Sequence, residues 1–338
     1  MAETISEATS RDGLMARAAR VLSHQLVRRL HTDWFEAWHP DLDAAMSALP
    51  SMEMCPPDLY RQLAVNRGAG AKRTALVTDR GAPVAVIALR READHWTPVT
   101  TWIVPGVDVP VRDGCLLDAL VALEVPVRLA WWRRDSAPPA SHLLEDLQGV
   151  ATHQLTCVGD FEAFWKESGQ WRHVQKARKK CSGLTVAVNR PGAAEWTIRS
   201  WSRRWAKPDA LELPTTDDHL LVARYWEPHG RHVTISLLDG DRIAASDTVL
   251  AHGTDIVGLI NYRDPAYDEL GIGTRMLDAT QQWAVAAHYR THDFGGGFDY
   301  KRRWAPPAGM RWTFMVRPHP LANVAKAVWN RVRSLRAL

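Results

Sequence analysis

The sequence predicts an α+β protein built from two similar units, and three observations carry this prediction. An order of strand, turn, strand, strand, helix and strand occurs twice, about 160 residues apart. In both copies a short turn with acidic residues and glycine separates the first two apolar runs, as in a β-hairpin. A length of 338 residues favours two domains over one, and 46% apolar with 24% charged residues is typical of a globular chain.

The first copy follows a lead of about 70 residues that is rich in Ala, Leu and Arg and predicts helices. The copy itself starts with the hairpin "RTALVTDRGAPVAVIALRR", in which "DRGAP" is the turn. A third strand, a helix and a closing strand follow, predicted at residues 97–106, 113–124 and 125–134.

The second copy has the same order with different letters. Residues 231–252 predict a hairpin around "LDGDR", and "DIVGLINYRD" predicts the third strand. The amphipathic segment "IGTRMLDATQQWAVAAH" predicts a helix, and "YRTHDFGGG" predicts the closing strand. Two α+β domains are the economical interpretation of this repeat.

Charge and cysteine patterns limit the classes of function. A balance of 42 basic to 38 acidic residues gives a net charge of +4, which permits a polyanionic partner without requiring one. Six basic residues and one acidic residue lie within residues 166–180, and five basic residues with no acidic one lie within 317–338. Four widely spaced cysteines predict neither a zinc site nor a disulfide framework, and we expect no metal. Without an apolar segment of signal-peptide or membrane-span type, a cytoplasmic protein is expected.

The entrance to the second copy's helix predicts an anion site. In "ELGIGTRML", Gly271 and Gly273 open the turn, and the backbone N–H groups of Ile272, Gly273, Thr274 and Arg275 are expected to point out of the helix N-terminus. The first copy has only "VRDGCLL" at the matching point. A G-x-G is often just a turn before a helix, but its position between a strand and an amphipathic helix favours a ligand site.

Three segments resemble one branch of the GNAT N-acetyltransferase superfamily, over residues 161–304. They are the basic helix and strand "WRHVQKARKKCSGLTVAV", the strand, loop and helix "NYRDPAYDELGIGTRML", and the glycine-rich turn "HDFGGGFDYKRRWA". That branch holds Fem-type peptidoglycan aminoacyltransferases and acetyltransferase domains found beside cellulose and exopolysaccharide genes. The resemblance implies tandem GNAT-like domains, each with a mixed, mostly antiparallel sheet flanked by helices. We predict domains at residues 1–150 and 151–318, followed by a basic amphipathic helix at 319–338.

The resemblance implies acyl-CoA as the donor, but one position departs from the pattern. GNAT loops usually carry Arg or Gln three residues before the first glycine, facing the CoA pyrophosphate, and Asp268 stands there instead. A carboxylate repels phosphate. Fem-type members, whose donor is a charged tRNA, have degenerate loops at this point, so the donor stays open between acyl-CoA and aminoacyl-tRNA.

The predicted catalytic groups lie in two segments. Asp247 interrupts an apolar strand in "IAASDTVL", and a half-buried carboxylate there has a raised pKa that suits a general base. The alternative for Asp247 is a position on the solvated face of an edge strand. The resemblance implies that Lys301 meets the acyl carbonyl or an acceptor phosphate; the alternative for Lys301 is a solvated lysine in a basic cluster. Tyr300 is either a donor to the leaving group or a packed ring.

Four further residues are predicted to bind substrate. Arg172 and Lys176 lie on the basic helix, and Arg302 follows Lys301 behind the glycine turn. Tyr262, at the end of a strand, is a candidate acid, with core packing as its alternative. The glycines at 295–297 are expected to let substrate lie against the strand end while Lys301 and Arg302 reach over it.

The leading functional hypothesis is an N-acyltransferase that uses acyl-CoA, most simply acetyl-CoA, and a primary amine of a small-molecule or cell-envelope acceptor. The runner-up is an aminoacyl-tRNA-dependent transferase of Fem type, which the basic helix and tail favour. A third hypothesis is a non-catalytic protein that binds nucleic acid or a membrane surface. It depends on the apolar stripe and opposing basic residues of the tail at 319–338.

Overall fold

The computed structural model describes residues 30–50, 52–66, 71–106, 109–133, 144–157, 161–296 and 299–316. The first 29 residues of the predicted helical lead and the predicted tail helix at 319–338 lie outside the described residues.

Twelve strands within the described ranges form one continuous sheet with the order β1-β2-β3-β4-β5-β12-β6-β11-β10-β9-β8-β7. Their bounds are β1 Leu30–Phe35, β2 Lys72–Asp79, β3 Ala82–Arg91, β4 Trp96–Pro98, β5 Val127–Arg133, β6 Leu144–Thr156, β7 Thr185–Val188, β8 His232–Asp239, β9 Arg242–His252, β10 Asp255–Arg263, β11 Thr291–Gly296 and β12 Pro307–Val316. Neighbouring strands are antiparallel, except for the parallel pairs β4·β5 and β10·β11. The sheet is therefore mixed and mostly antiparallel.

Helices flank this sheet. The described helices are α1 Pro40–Ser47, α2 Pro57–Val65, α3 Leu116–Ala122, α4 Phe161–Glu167, α5 Trp171–Lys180, α6 Ala193–Trp205, α7 Thr216–Trp226 and α8 Ile272–Ala286. Short 3-10 turns lie at Glu227–His229, Pro265–Leu270 and Asp299–Arg303. Helix α3 joins β4 to β5, and α8 joins β10 to β11, because two parallel neighbours need a crossover connection.

The repeat is visible in the element order, and the two copies exchange their last strands. Strand β6 follows β5 along the chain but pairs with β11 of the second copy. Strand β12 ends the second copy but pairs with β5 of the first, and β6 and β12 also pair with each other. This exchange joins the two predicted sheets into one. Residue 150 lies inside β6, and the division into domains at that residue stays a prediction.

Two local predictions were wrong. Leu30–Phe35, expected to be helical, is an edge strand that pairs with β2. Thr, Trp and Phe in this segment fit a pleated edge, and pairing in the tertiary structure overrides the weak helical pattern. The strand expected at 97–106 is limited to Trp96–Pro98, after which the chain turns.

One apolar cluster spans the two copies. Val86 and Ala88 of β3 belong to the same buried cluster as Val222 and Trp226 of α7. An ion pair at the same junction connects the copies, since Lys72 Nζ lies 3.0 Å from Oδ1 of the fully buried Asp218 on α7. The first copy is therefore packed against the second rather than tethered to it.

Candidate active site

The site lies where β10 and β11 separate. Their parallel pairing covers only Asp255 to Val257 of β10, although β10 continues to Arg263. Strand β10 is irregular just after this point, between Gly258 and Ile260. The strands thus diverge toward the end of β10, from which the chain leads into α8. Side chains from four neighbouring segments are buried around this opening.

Asp247 on β9 is the buried carboxyl group of this site. It pairs with Asn261 of β10 in the sheet and is 9% exposed. Its Oδ2 accepts a hydrogen bond of 3.1 Å from the Thr280 hydroxyl on α8. Burial raises the pKa of Asp247 to about 7, while the Thr280 hydrogen bond and the charge of Lys301 act in the opposite direction. The carboxyl group can therefore exchange a proton near neutral pH.

Lys301 lies in the 3-10 turn Asp299–Arg303 that follows β11. Its Nζ donates a hydrogen bond to the carbonyl oxygen of Phe294. Burial lowers the pKa of Lys301 to about 8, against the opposing charges of Asp293 and Asp247, and Arg311 lowers it further. The structure thus brings the two predicted catalytic groups into one electrostatically coupled cluster.

Asp293 and Arg311 hold the bend on which Lys301 rests. Asp293 Oδ2 accepts from Arg311 Nη2 at 3.0 Å, and Oδ1 accepts from the Gly295 amide at 2.7 Å. Gly295 has φ +67°, which favours glycine. Arg311 belongs to β12, so the exchanged strand helps to form the site.

His292 is a buried neutral base beside the same opening. Its Nδ1 accepts a 2.8 Å hydrogen bond from the Gln281 amide on α8, and burial lowers its pKa to about 3. The sequence patterns did not indicate His292, Asp293, Arg311 or Thr280. A signal existed for the first two, because a histidine and a carboxylate stand side by side in the predicted closing strand "YRTHDFGGG".

In the predicted turn before α8, Gly271 is left-handed with φ +71°, and α8 begins at Ile272. Two of the four N–H groups expected to point outward do not do so. The amides of Thr274 and Arg275 donate to the Gly271 carbonyl at 3.0 and 3.2 Å, because the first turn of the helix closes on itself. The first turn therefore leaves only the amides of Ile272 and Gly273 for a ligand.

Arg263 offsets the negative charge that Asp268 places beside this turn. Its Nε lies 2.6 Å from Asp268 Oδ1, so the carboxylate that departs from the GNAT pattern is paired with a cation. A Cβ on Gly273 would lie 3.2 Å from Arg263 Nη1. The guanidinium group therefore lies over the first turn of α8, where an anion would bind.

Arg275 points in another direction, to Asp278. Its Nη1 lies 3.0 Å from Asp278 Oδ2, and Arg178 of α5 bonds both oxygens of Asp278 at 2.8 and 2.9 Å. Asp278 is fully buried, so this cluster anchors α5 on α8.

The basic face of α5 reaches the glycine turn. Ala177 of α5 lies 3.8 Å from the position of a Cβ on Gly271, and Lys180 Nζ donates to the Glu269 carbonyl at 2.6 Å. Arg172, Lys176 and Lys180 follow each other at four-residue spacing, so they lie on one side of the helix. Arg172 and Lys176 are exposed, and this basic row ends beside the loop.

Three predicted residues remain, namely Tyr262, Arg302 and Tyr300. The Tyr262 ring is half-buried and meets Trp196 edge to face at 5.4 Å, which fits its packing alternative. Arg302 is exposed on the turn that carries Lys301. Tyr300 belongs to the same turn, and its side chain lies outside the described part of the structure.

Metal-binding clusters and membrane-crossing helices are both absent from the described ranges. No group of three or more His, Cys, Asp or Glu side chains in these ranges is placed to hold a metal ion. Within the same ranges, no helix combines the length and apolarity that crossing a membrane requires.

Residues 168–302 match the family model described as "Acetyltransferase (GNAT) domain". The matched segment includes Asp247, the glycine turn, α8 and Lys301. No curated protein sequence matches the chain.

Several solved structures are similar to this chain at low sequence identity. A conserved protein of unknown function from Bacteroides thetaiotaomicron VPI-5482 has a TM-score of 0.50 at 10% identity, over 84% of this chain and 99% of that one. The glucosamine N-acetyltransferase region of a fungal multi-domain GH3 beta-N-acetylglucosaminidase has a TM-score of 0.49 at 12% identity, over 85% of this chain, which spans 38% of the fungal one. A tandem GNAT protein from the clavulanic acid biosynthesis pathway has a TM-score of 0.47 at 10% identity, over 85% of this chain and 98% of that one.

The predicted fold class is confirmed. The described residues have the GNAT fold, an α+β arrangement in which helices flank a mixed sheet and the order of elements occurs twice.

Proposed function

We propose that the protein is an N-acyltransferase that moves an acyl group from acyl-CoA, most simply acetyl-CoA, to a primary amine of a small-molecule or cell-envelope acceptor. The observation that carries this proposal is the placement of the buried Asp247 and the half-buried Lys301 together at the opening between β10 and β11, with pKa values of about 7 and 8. The GNAT model match over the same segment supports it.

In the proposed reaction the acceptor amine attacks the acyl carbonyl carbon, so that a C–N bond forms and the C–S bond of the thioester breaks. Asp247 in its carboxylate form takes the proton that the amine loses. The Lys301 ammonium group stabilises the negative charge that develops on the carbonyl oxygen. The CoA thiolate then leaves and takes up a proton.

Donor binding is assigned to the first turn of α8. The amides of Ile272 and Gly273, the helix dipole and the Arg263 guanidinium group all favour a phosphate there. The pairing of Arg263 with Asp268 removes the repulsion that the carboxylate alone exerts. In this proposal the Arg263 guanidinium group binds the phosphate, because the side chain of Arg275 is engaged with Asp278.

An aminoacyl-tRNA donor is the second candidate function, and the basic row on α5 favours it. Arg172 and Lys176 are exposed and lead toward the same glycine turn. A tRNA that contacts this row would bind with a steep salt dependence, because each neutralised phosphate releases counterions. With either donor, we propose that the chain belongs to the branch that holds Fem-type aminoacyltransferases and exopolysaccharide- and cellulose-associated acetyltransferases.

The test is a transfer assay with purified protein, in which release of the CoA thiol from acetyl-CoA is followed over a panel of primary amines. We expect a bell-shaped pH dependence of kcat/KM with limbs near pH 7 and 8, because Asp247 must be ionised and Lys301 protonated. Failure to release thiol with any amine would contradict the acyl-CoA proposal.

Matched variants separate the two donors. Arg263→Ala should weaken acetyl-CoA binding, and Arg263→Ala combined with Asp268→Ala should recover part of the loss, because the exposed carboxylate is then removed as well. Binding of tRNA should instead respond to Arg172→Glu and Lys176→Glu, with a shallower log–log salt slope. If neither ligand binds, the non-catalytic hypothesis remains; it depends on residues 319–338, which lie outside the described residues.

A further inference from the structure

Two tryptophans of the first copy lie beside Lys301. A Cβ on Gly295 would lie 3.5 Å from Cζ3 of Trp131 and 3.9 Å from Nζ of Lys301, so the indole edge and the ammonium group flank the same point. The ring of Trp102 lies against that of Trp131, with centroids 4.6 Å apart and planes at 54°. Trp102 is 52% exposed. The rings of Trp102 and Trp131 therefore form a continuous aromatic surface that extends from solvent to Lys301.

The backbone at both tryptophans is unusual. Trp102 has φ +68° and Trp131 has φ +67°, a region that bulky L-residues rarely adopt. Such conformations carry a conformational cost and cluster at ligand sites, where the surrounding structure maintains them. Here they direct two large rings to one place.

The repeat explains how the ring of Trp131 reaches the second copy. Trp131 is the fourth residue after the start of β5, and Gly295 is the fourth after the start of β11. Both have φ +67°, so the same bend carries a ring in one copy and no side chain in the other. The indole of the first copy thus lies in van der Waals range of the second copy's turn at Gly295.

We propose that Trp102 and Trp131 form the acceptor subsite, and that they bind the flat apolar face of a six-membered ring that carries the amine. This inference rests on the proposed acyl transfer. The pyranose of an amino sugar and the aryl ring of an arylalkylamine both have such a face, and an indole provides a large, rigid surface for it. A protonated amine beside the Lys301 cation is unfavourable, so the neutral ring body stacks on the indoles while the amine faces the carboxyl group of Asp247, which takes its proton.

The test compares KM and kcat for glucosamine, phenethylamine and the linear amine ethanolamine. Trp102→Ala should raise KM for the ring amine that the site accepts by about tenfold, the change that ~1.4 kcal/mol of lost stacking produces. In Trp102→Ala, kcat for the ring amine and KM for ethanolamine should stay at their wild-type values. Trp102→Phe should restore most of the affinity for the ring amine. Trp205→Ala is the matched control, since Trp205 is 57% exposed on α6 and lies in no described contact with the site.

Trp131→Gly provides a second variant that relieves the positive φ while it removes the ring. It should raise KM for the ring amine as Trp102→Ala does. Glucosamine and phenethylamine distinguish the two kinds of ring. If the subsite binds a pyranose, Trp102→Ala raises KM for glucosamine, and if it binds an aryl ring, Trp102→Ala raises KM for phenethylamine.

Three results overturn the subsite while acyl transfer stands: the lowest KM for ethanolamine, an unchanged KM in Trp102→Ala, or an equal rise in Trp205→Ala. If the wild type acylates no amine, the proposed function is wrong, and NMR titration of both ring amines without donor decides the subsite. Binding that Trp102→Ala abolishes would then support it, and binding that is absent or unaffected would refute it.

Discussion

Asp247→Asn tests the buried carboxyl group without a change of size. Below its usual pKa of 3.8 the carboxyl is protonated in both the folded and the unfolded chain. As pH rises from there to about 7, the unfolded chain releases the proton while the folded chain keeps it, so the free energy of unfolding falls. The raised pKa corresponds to about 4 kcal/mol lost above pH 7. Asn cannot ionise, so the free energy of unfolding of the variant does not fall in this way as pH rises.

The free energy of unfolding of Asp247→Asn should therefore exceed that of the wild type by an amount that grows with pH. More than half of the ~4 kcal/mol should develop between about pH 5 and pH 8. Urea unfolding of the two proteins in parallel measures it. Asp278→Asn is the matched control with the opposite sign, because this buried carboxylate is paired with Arg178 and Arg275 and its loss leaves their charges unsatisfied.

Parallel stability curves for Asp247→Asn and the wild type from pH 5 to 8 would refute the raised pKa. In the transfer assay the same variant should have a lower turnover than the wild type. The deficit should shrink as pH approaches the pKa of the acceptor amine, since the amine then arrives deprotonated. A stabilised but less active variant is the expected behaviour of a group kept for chemistry.

Three further predictions concern other parts of the chain. Lys301→Met should lower turnover by roughly a hundredfold, measured at saturating donor, with little change in donor affinity and no rescue at high pH. Gly273→Asp should abolish acetyl-CoA binding measured by calorimetry, because it adds an anion at the first turn of α8. The control Gly114→Asp, just before the first copy's helix, should leave acetyl-CoA binding nearly intact. Equal losses of binding in the two variants would contradict a donor site confined to the second copy. Gly149→Ala should destabilise the protein by about 1–3 kcal/mol, seen as a lower Tm, because the new Cβ would lie 2.8 Å from the Trp312 ring; an unchanged Tm would show that the ring moves aside.

The element order of both copies could be predicted from the sequence, because hairpin turns and helical periodicity are local signals. Strands β2, β3 and β8 to β11, helices α3 and α8, and the basic helix α5 all follow from such patterns. Asp247 was found because a carboxylate in an apolar strand is itself a local irregularity. The edge strand at residues 30–35 was missed, because its pairing with β2 is a long-range contact.

Only the tertiary structure decided how the two copies combine. The exchange of β6 and β12 depends on hydrogen bonds between segments more than a hundred residues apart, and no periodicity encodes such a partner. For the same reason the sequence could not reveal that Arg263 neutralises Asp268 or that Arg275 turns to Asp278, since alternative ion pairs fit the same spacing. The sequence by itself predicted two GNAT-like units, a candidate base in Asp247 and a candidate electrophilic group in Lys301. Burial by neighbouring strands decided the pKa values of that pair, and the exchange of strands brought Trp131 of one copy against Gly295 of the other.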